Sequence, residues 1–205
     1  MVKILFVSDT VMPQMESAAN LRRRYSDIEL IVSCGDLPKV YLEFMVSILN
    51  VPLFYVRGNH DERYIKDPPG GDDIHGRILT YKGITFAGIE GSMKYNDGII
   101  QYTEFQMMRI VLGMGPKMSV RRLQGKPGVD VFVAHSPPRG IHDASDLPHT
   151  GFKAFLRFLD WYRPRYMVHG HVHTYDRRKT TQTLYEETDI ININPVTVLD
   201  IEPHE

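Results

Sequence analysis

Side chains able to bind a metal recur in this chain at one kind of place, the polar end of a short apolar run. The runs end in Asp9, in Asp36, in Asn59-His60-Asp61, in His135, and in His171-Val172-His173. One Asp or His at the end of a run means little, but five successive ends carrying a carboxylate, an amide oxygen or an imidazole form a ligand set. That mixture suits Mn, Fe, Zn or Ni better than a metal that prefers thiolates. Two divalent ions held there would carry more positive charge than two aspartates cancel. The surplus favours a bound hydroxide and an anionic substrate such as a phosphate ester.

For the ends to meet, the runs must be strands that deliver them to one edge. Residues 3–9, 28–36, 52–61, 129–135 and 165–173 are apolar at nearly every position, the pattern of strands covered on both faces. Residues 37–50 fit a helix packed on a sheet, with Val40, Phe44 and Ile48 together with Leu42, Met45 and Leu49 on its apolar side. Residues 16–25 read as a first helix, and 151–162 as a late one. Alternation of strand and helix favours parallel crossovers, and open sheets of this kind bind ligands at the carboxyl ends of their strands. After residue 61 the pattern changes. A hairpin turns at Lys82-Gly83, and Thr103 with Gln106 has the form of a capping box. The helix it opens is expected to be interrupted by Gly113, Gly115 and Pro116. Residues 183–201 alternate as antiparallel strands would. Residues 1–205 read as a single mixed α/β domain. The loops at 62–76 and 136–150 are expected to shape the substrate pocket.

Composition narrows the function. A chain of 205 residues with 42% hydrophobic and 24% charged residues is ordinary globular material. It would bury roughly 70% of its unfolded surface and needs no staple to fold. A net charge of −1 gives no reason to expect a dedicated nucleic-acid binder. A single cysteine excludes a disulfide framework, and Cys34, on a buried run, reads as core packing rather than a nucleophile. The apolar run at 4–7 is too short for a signal segment, and no run reaches the length of a membrane span, so the expected location is the cytoplasm without a membrane partner. The basic triplets at 22–24 and 177–179 read as solvated surface.

Gly35-Asp36, Gly58-Asn59-His60-Asp61, a lone His135 and Gly170-His171-Val172-His173, in this order behind Asp9, resemble the motifs of the calcineurin-like metallophosphoesterases, in particular the small single-domain members found in prokaryotes. The resemblance runs from about residue 2 to 201. It implies a four-layer αββα sandwich, two mixed β-sheets flanked by helices. It also implies two divalent metal ions: Asp36 bridges them, Asp9 and His173 hold the first, and Asn59, His135 and His171 hold the second. By the same resemblance His60 protonates the leaving group or steadies the phosphorane, and a metal-activated hydroxide attacks phosphorus in line. Asp61, a carboxylate behind that imidazole, is expected to orient it. A small phosphate ester is the implied substrate, a diester or nucleotide-type one preferred, with His149 and Arg139 as substrate-side candidates.

One position departs from the pattern. The family motif D-x-H places a histidine where this chain has Val11, so the first metal is short of a ligand and is expected to be under-occupied. If position 11 faces the metal, Val11→His would refill it. The same departure keeps open a second class of function, a scaffold or binding protein that retains the fold with reduced catalysis. The histidines at 60, 135, 171 and 173 speak against that class.

Overall fold

Apolar residues at both parities of a strand can be satisfied only if each face has its own cover, and the core of this protein is divided accordingly. The computed structural model describes residues 1–173 and 180–204. In chain order the elements are β1 (Val2–Val7), α1 (Ala18–Tyr25), β2 (Leu30–Ser33), α2 (Lys39–Leu49), β3 (Leu53–Tyr55), β4 (Asp72–Asp73), β5 (Ile78–Tyr81), β6 (Ile84–Ile89), β7 (Ser92–Met93) and β8 (Gln101–Tyr102). There follow α3 (Glu104–Leu123), β9 (Val131–Ala134), α4 (Lys153–Tyr162), β10 (Tyr166–His169), β11 (Gln182–Tyr185), β12 (Thr188–Asn192) and β13 (Val196–Ile201). The first sheet has the order β13-β1-β2-β3-β4 and the second β11-β12-β10-β9-β6-β5. Both are mixed. β1, β2, β3 and β4 run parallel with β13 antiparallel at the edge, and β12, β10, β9 and β6 run parallel between antiparallel β11 and β5.

Even residues of β1 and β2 (Ile4, Phe6, Leu30, Val32) meet Phe86, Val131, Val133 and Val168 between the two sheets. Odd residues (Leu5, Val7, Ile31) turn outward and are covered by Leu21 of α1 and Tyr41, Leu42 and Met45 of α2. The outer face of the second sheet, with Phe132, Ala134 and Met167, is covered by Met107, Val111 and Met114 of α3 and by Phe155, Phe158 and Leu159 of α4. The result is the expected four-layer sandwich of helices, sheet, sheet and helices.

Three expectations need correction. α3 runs unbroken from Glu104 to Leu123 with Pro116 inside it. Pro116 removes the hydrogen bond to the carbonyl of Leu112, which is 55% exposed, so the lost bond falls on the solvent side. The opposite stripe of Met107, Val111 and Met114 stays buried and keeps the helix in place. In α2 the buried stripe is Tyr41, Leu42 and Met45, while Val40 is 73% exposed, a rotation that an apolar helix read by period alone does not reveal. The five runs also end earlier as strands than as apolar sequence, at Val7, Ser33, Tyr55, Ala134 and His169. Among the described residues no helix is long and apolar enough to cross a membrane.

The Phe132 ring is fully buried, stacked on Phe158 at 4.2 Å between centroids and edge-on to Phe155 at 5.3 Å. Phe132→Ala is therefore expected to destabilise the protein by about 3–5 kcal/mol in equilibrium denaturation. A loss under about 1 kcal/mol would show that this layer is not packed as described.

Candidate metal centre

Each motif residue lies just beyond its strand, where the chain leaves the sheet, and three of them pay for the turn in backbone conformation. Asp9, Asp36 and His171 have φ of 61°, 56° and 69°. This left-handed region is uncommon for residues with a side chain, and Asp and His tolerate it better than most. The ends of the two sheets are tied to one another there. The His171 N–H donates to Asp9 Oδ2 at 2.9 Å, and the Asp9 N–H donates to the Gly35 carbonyl at 3.1 Å. The approach is so close that a methyl group at Gly170 would overlap Ser8 Oγ and Asp9 Oδ2, and one at Gly58 would overlap the Asp36 carboxylate. The glycines that precede the histidine and asparagine motifs are there because nothing larger fits.

At the middle of this junction sits the fully buried His135 ring. Its Nδ1 donates to the Cys34 carbonyl at 2.8 Å. That bond fixes the tautomer and leaves Nε2 facing Asn59 Oδ1 at 3.1 Å and Asp36 Oδ2 at 3.4 Å. His171 lies alongside, its ring centroid 4.7 Å from that of His135, and its Nε2 donates to the Pro148 carbonyl at 2.8 Å, which turns Nδ1 the other way. Asp36, His135 and His171 each offer one ligand atom, and these atoms lie within 4.8 Å of one another. Asn59 is oriented from behind, since its Nδ2 donates to Tyr95 Oη at 3.3 Å and its oxygen is thereby left toward His135.

The electrostatics follow from burial and proximity. Burial pulls the His135 imidazole down, but the Asp36 carboxylate beside it outweighs that and lifts it to about 9. Burial pushes Asp36 up, and His135 outweighs it and holds the carboxyl at about 2. His171 is driven down to about 3, mainly by burial and then by His135, so it stays neutral with a lone pair to give. Two oxygens and two imidazole nitrogens facing one another form a donor set without a proton among them once His135 is neutral. Such a set is matched by a borderline divalent cation, and the residues present fit one.

Of the other residues singled out in the sequence, Asp9 stands beside this group with a carboxylate engaged by the His171 amide, and burial raises its pKa. His173 is exposed, next to the undescribed segment 174–179. Among the described residues the group of ligand atoms within 4.8 Å of one another is made by Asp36, His135 and His171. Val11 is half-buried and packs against the apolar cluster under α1 and α2. His60 is exposed, and its backbone N–H donates to Asp36 Oδ1 at 2.9 Å.

Asp61 does not orient the His60 ring among the described residues. Its Oδ2 accepts from the backbone amides of Asp36 at 2.7 Å and Gly58 at 2.8 Å, which clamps the end of β2 to the end of β3. Burial still raises the Asp61 carboxyl, to about 6. His149, on the 136–150 loop, lies 5.0 Å from the His171 ring and bonds Asp146 through Nδ1 at 2.5 Å, so it borders the centre. Arg139 is exposed and makes no side-chain hydrogen bond or ion pair among the described residues. Arg63, on the turn Glu62–Ile65, lines the cavities on both sides of His60, and Lys39 lines one of them. Arg63 and Tyr95 were not apparent in the sequence. An arginine three residues after a motif histidine was the available signal for the first; for Tyr95 there was none. The 22–24 triplet is exposed as expected, the 177–179 triplet lies outside the described residues, and Cys34 is buried with its thiol pushed well up by that burial.

The sequence matches the calcineurin-like phosphoesterase family over residues 2–175. The fold is similar to TT1561 of Thermus thermophilus, with a TM-score of 0.59 and 14% identity over 95% of this chain and 89% of that one. It is also similar to GAP50, the anchor in the inner membrane complex of Plasmodium, with a TM-score of 0.56 and 13% identity over 94% of this chain and 71% of that one. No curated protein sequence matches the chain.

Two outcomes are expected. In chelator-treated protein the raised His135 contributes stability that is complete below its ordinary value of 6.5 and is lost as pH rises through about 9. The melting temperature should fall across that window, and His135→Asn should flatten the slope; a slope unchanged in the variant would remove His135 as its source. Val11→His should leave metal stoichiometry unchanged and cost about 1–3 kcal/mol of stability in denaturant, because it puts an imidazole into an apolar contact. A gain of bound metal would show that position 11 can reach the centre after all.

Proposed function

The chain belongs to the calcineurin-like phosphoesterase family, and we propose that it is a metal-dependent hydrolase of phosphate mono- or diesters, acting in the cytoplasm on a small diester or nucleotide-type substrate. The observation that carries the reading is the convergence of Asp36, His135 and His171, with their ligand atoms within 4.8 Å and Asn59 Oδ1 turned toward them. A divalent ion at this place supplies Lewis acidity toward phosphoryl oxygens and makes water a better nucleophile at neutral pH. The protein's part is to hold that set rigid. His135 is locked by Cys34, His171 by Pro148 and Asn59 by Tyr95, while Asp61 fixes the backbone amides of Asp36 and Gly58. His60, anchored through its backbone to Asp36 and with an exposed ring, would give a proton to the departing oxygen of the ester.

A second reading, a scaffold with reduced catalysis, is favoured by one feature: Val11 stands where the D-x-H motif has its histidine, and it packs against an apolar cluster. The GAP50 anchor has a similar fold. Three polar side chains locked around one point, His135, His171 and Asn59, argue for the enzyme.

Hydrolysis of a chromogenic phosphodiester with added Mn²⁺ separates the two. The wild type should turn over and Asp36→Asn should lose both bound metal and activity. His60→Ala should lower kcat by about 10²–10⁴-fold while metal content stays near wild type. Metal loss in His60→Ala as large as in Asp36→Asn would make His60 a ligand, and the absence of metal-dependent hydrolysis across mono- and diesters would leave the scaffold.

A further inference from the structure

A cavity of about 650 Å³ opens beside the metal centre, between the turn that carries His60 and Arg63 and the loop that carries Tyr95 and Asp97. Its volume is in the range of sites that take small organic molecules, roughly 300–1,000 Å³. Asn59 and His60 belong both to this cavity and to the motif at the centre, so a group lodged here lies next to whatever the centre holds.

The loop between β7 and β8 is preformed. Gln101 Oε1 accepts from the backbone N–H groups of Tyr95 at 3.1 Å and Asn96 at 3.2 Å. Asn96 Oδ1 accepts from Gln101 Nε2 at 2.6 Å and from the Gly98 N–H at 2.9 Å. The Ile99 N–H donates to Glu62 Oε1 at 3.1 Å and so ties the loop to the turn after the histidine motif. These bonds occupy Asn96, Gln101 and one oxygen of Glu62. The Arg63 and Asp97 side chains, which also line the cavity, make no hydrogen bond or ion pair among the described residues, and the Tyr95 oxygen only accepts, from Asn59.

Charge then decides what fits. Glu62 and Asp97 set two carboxylates against the one guanidinium of Arg63, so a second phosphate would enter a lining with an excess of negative charge. A neutral group with hydroxyls meets the opposite situation, a carboxylate to accept from it and a guanidinium and a phenol to donate to it. We infer that this cavity is the subsite for the organic group of the ester, and that it takes a neutral, hydroxyl-rich group of nucleoside size, held by Asp97, Arg63 and Tyr95. The inference rests on the phosphoesterase reading, since it is the phosphate at the centre that brings the organic group within reach.

Calorimetric titration of the Mn²⁺-loaded protein with inorganic phosphate and with adenosine 5′-monophosphate tests it. The nucleotide should bind about tenfold tighter than phosphate or better, the worth of one or two charge-assisted hydrogen bonds. In Asp97→Asn and in Arg63→Ala that ratio should fall toward one. Both residues are exposed, and a melting curve identifies a variant that has failed to fold. A ratio near one in the wild type, no binding of either probe, or a ratio that neither variant moves would overturn the subsite. Ester hydrolysis measured on the same samples keeps the two claims apart. Turnover without a nucleotide preference removes the subsite and leaves the phosphoesterase, whereas a preference without any turnover supports the subsite and removes the catalytic reading.

Discussion

A fully buried imidazole cannot leave either nitrogen without a partner at no cost, and His135 has both nitrogens at the seam between two sheets. One is satisfied by the Cys34 carbonyl of the opposite sheet, which sets how near the sheets approach. The other faces Asp36 and Asn59, which must therefore be present and correctly turned. Much of the surrounding architecture serves this contact. Glycine at 58 and 170 makes room, the left-handed backbone at Asp9, Asp36 and His171 redirects the chain at the strand ends, and Asp61 binds two of those ends through their amides. Without a metal the seam is held by a charge pair, with His135 raised and Asp36 lowered by one another against the cost of burial. Once His135 is neutral, the same atoms of Asp36, Asn59, His135 and His171 would be free to hold a divalent ion.

The layering and the site are not independent designs. The central strands β1, β2, β3, β6, β9 and β10 are buried on both faces because helices cover the outside of both sheets, and a strand of that kind can expose a polar side chain only at its end. The parallel crossovers then bring the carboxyl ends of β1, β2 and β3 to one edge of the first sheet and those of β9 and β10 to one edge of the second. The place where the fold must become polar is thus the place where a metal centre can be assembled.

The strands and the residues at their ends were legible because double-sided burial writes itself as an unbroken apolar run with an abrupt polar stop. The hairpin at Lys82-Gly83 was legible because both residues adopt positive φ, with φ of 46° and 79°. What was not legible depends on which groups meet in space. Asp61 follows His60 in the chain, which suggested a partnership, yet two backbone amides outcompete the ring for its carboxylate. Val11 keeps the spacing of a ligand, yet it packs against an apolar cluster. Pro116 is a helix breaker by type, and whether it breaks one depended on the opposite face being buried. Tyr95 is remote from every motif and reaches Asn59 only through the loop between β7 and β8.

The claim on which the account stands is that the seam around His135 is a metal site. The most direct measurement is anomalous diffraction from crystals of the chelated protein soaked in Mn²⁺, recorded at the manganese edge. The account predicts a peak about 2.0–2.3 Å from the Asp36 carboxylate, Asn59 Oδ1, His135 Nε2 and His171 Nδ1. A crystal that takes up manganese elsewhere, or in which His135 keeps its contact to the Asp36 carboxylate with no peak between them, would contradict it.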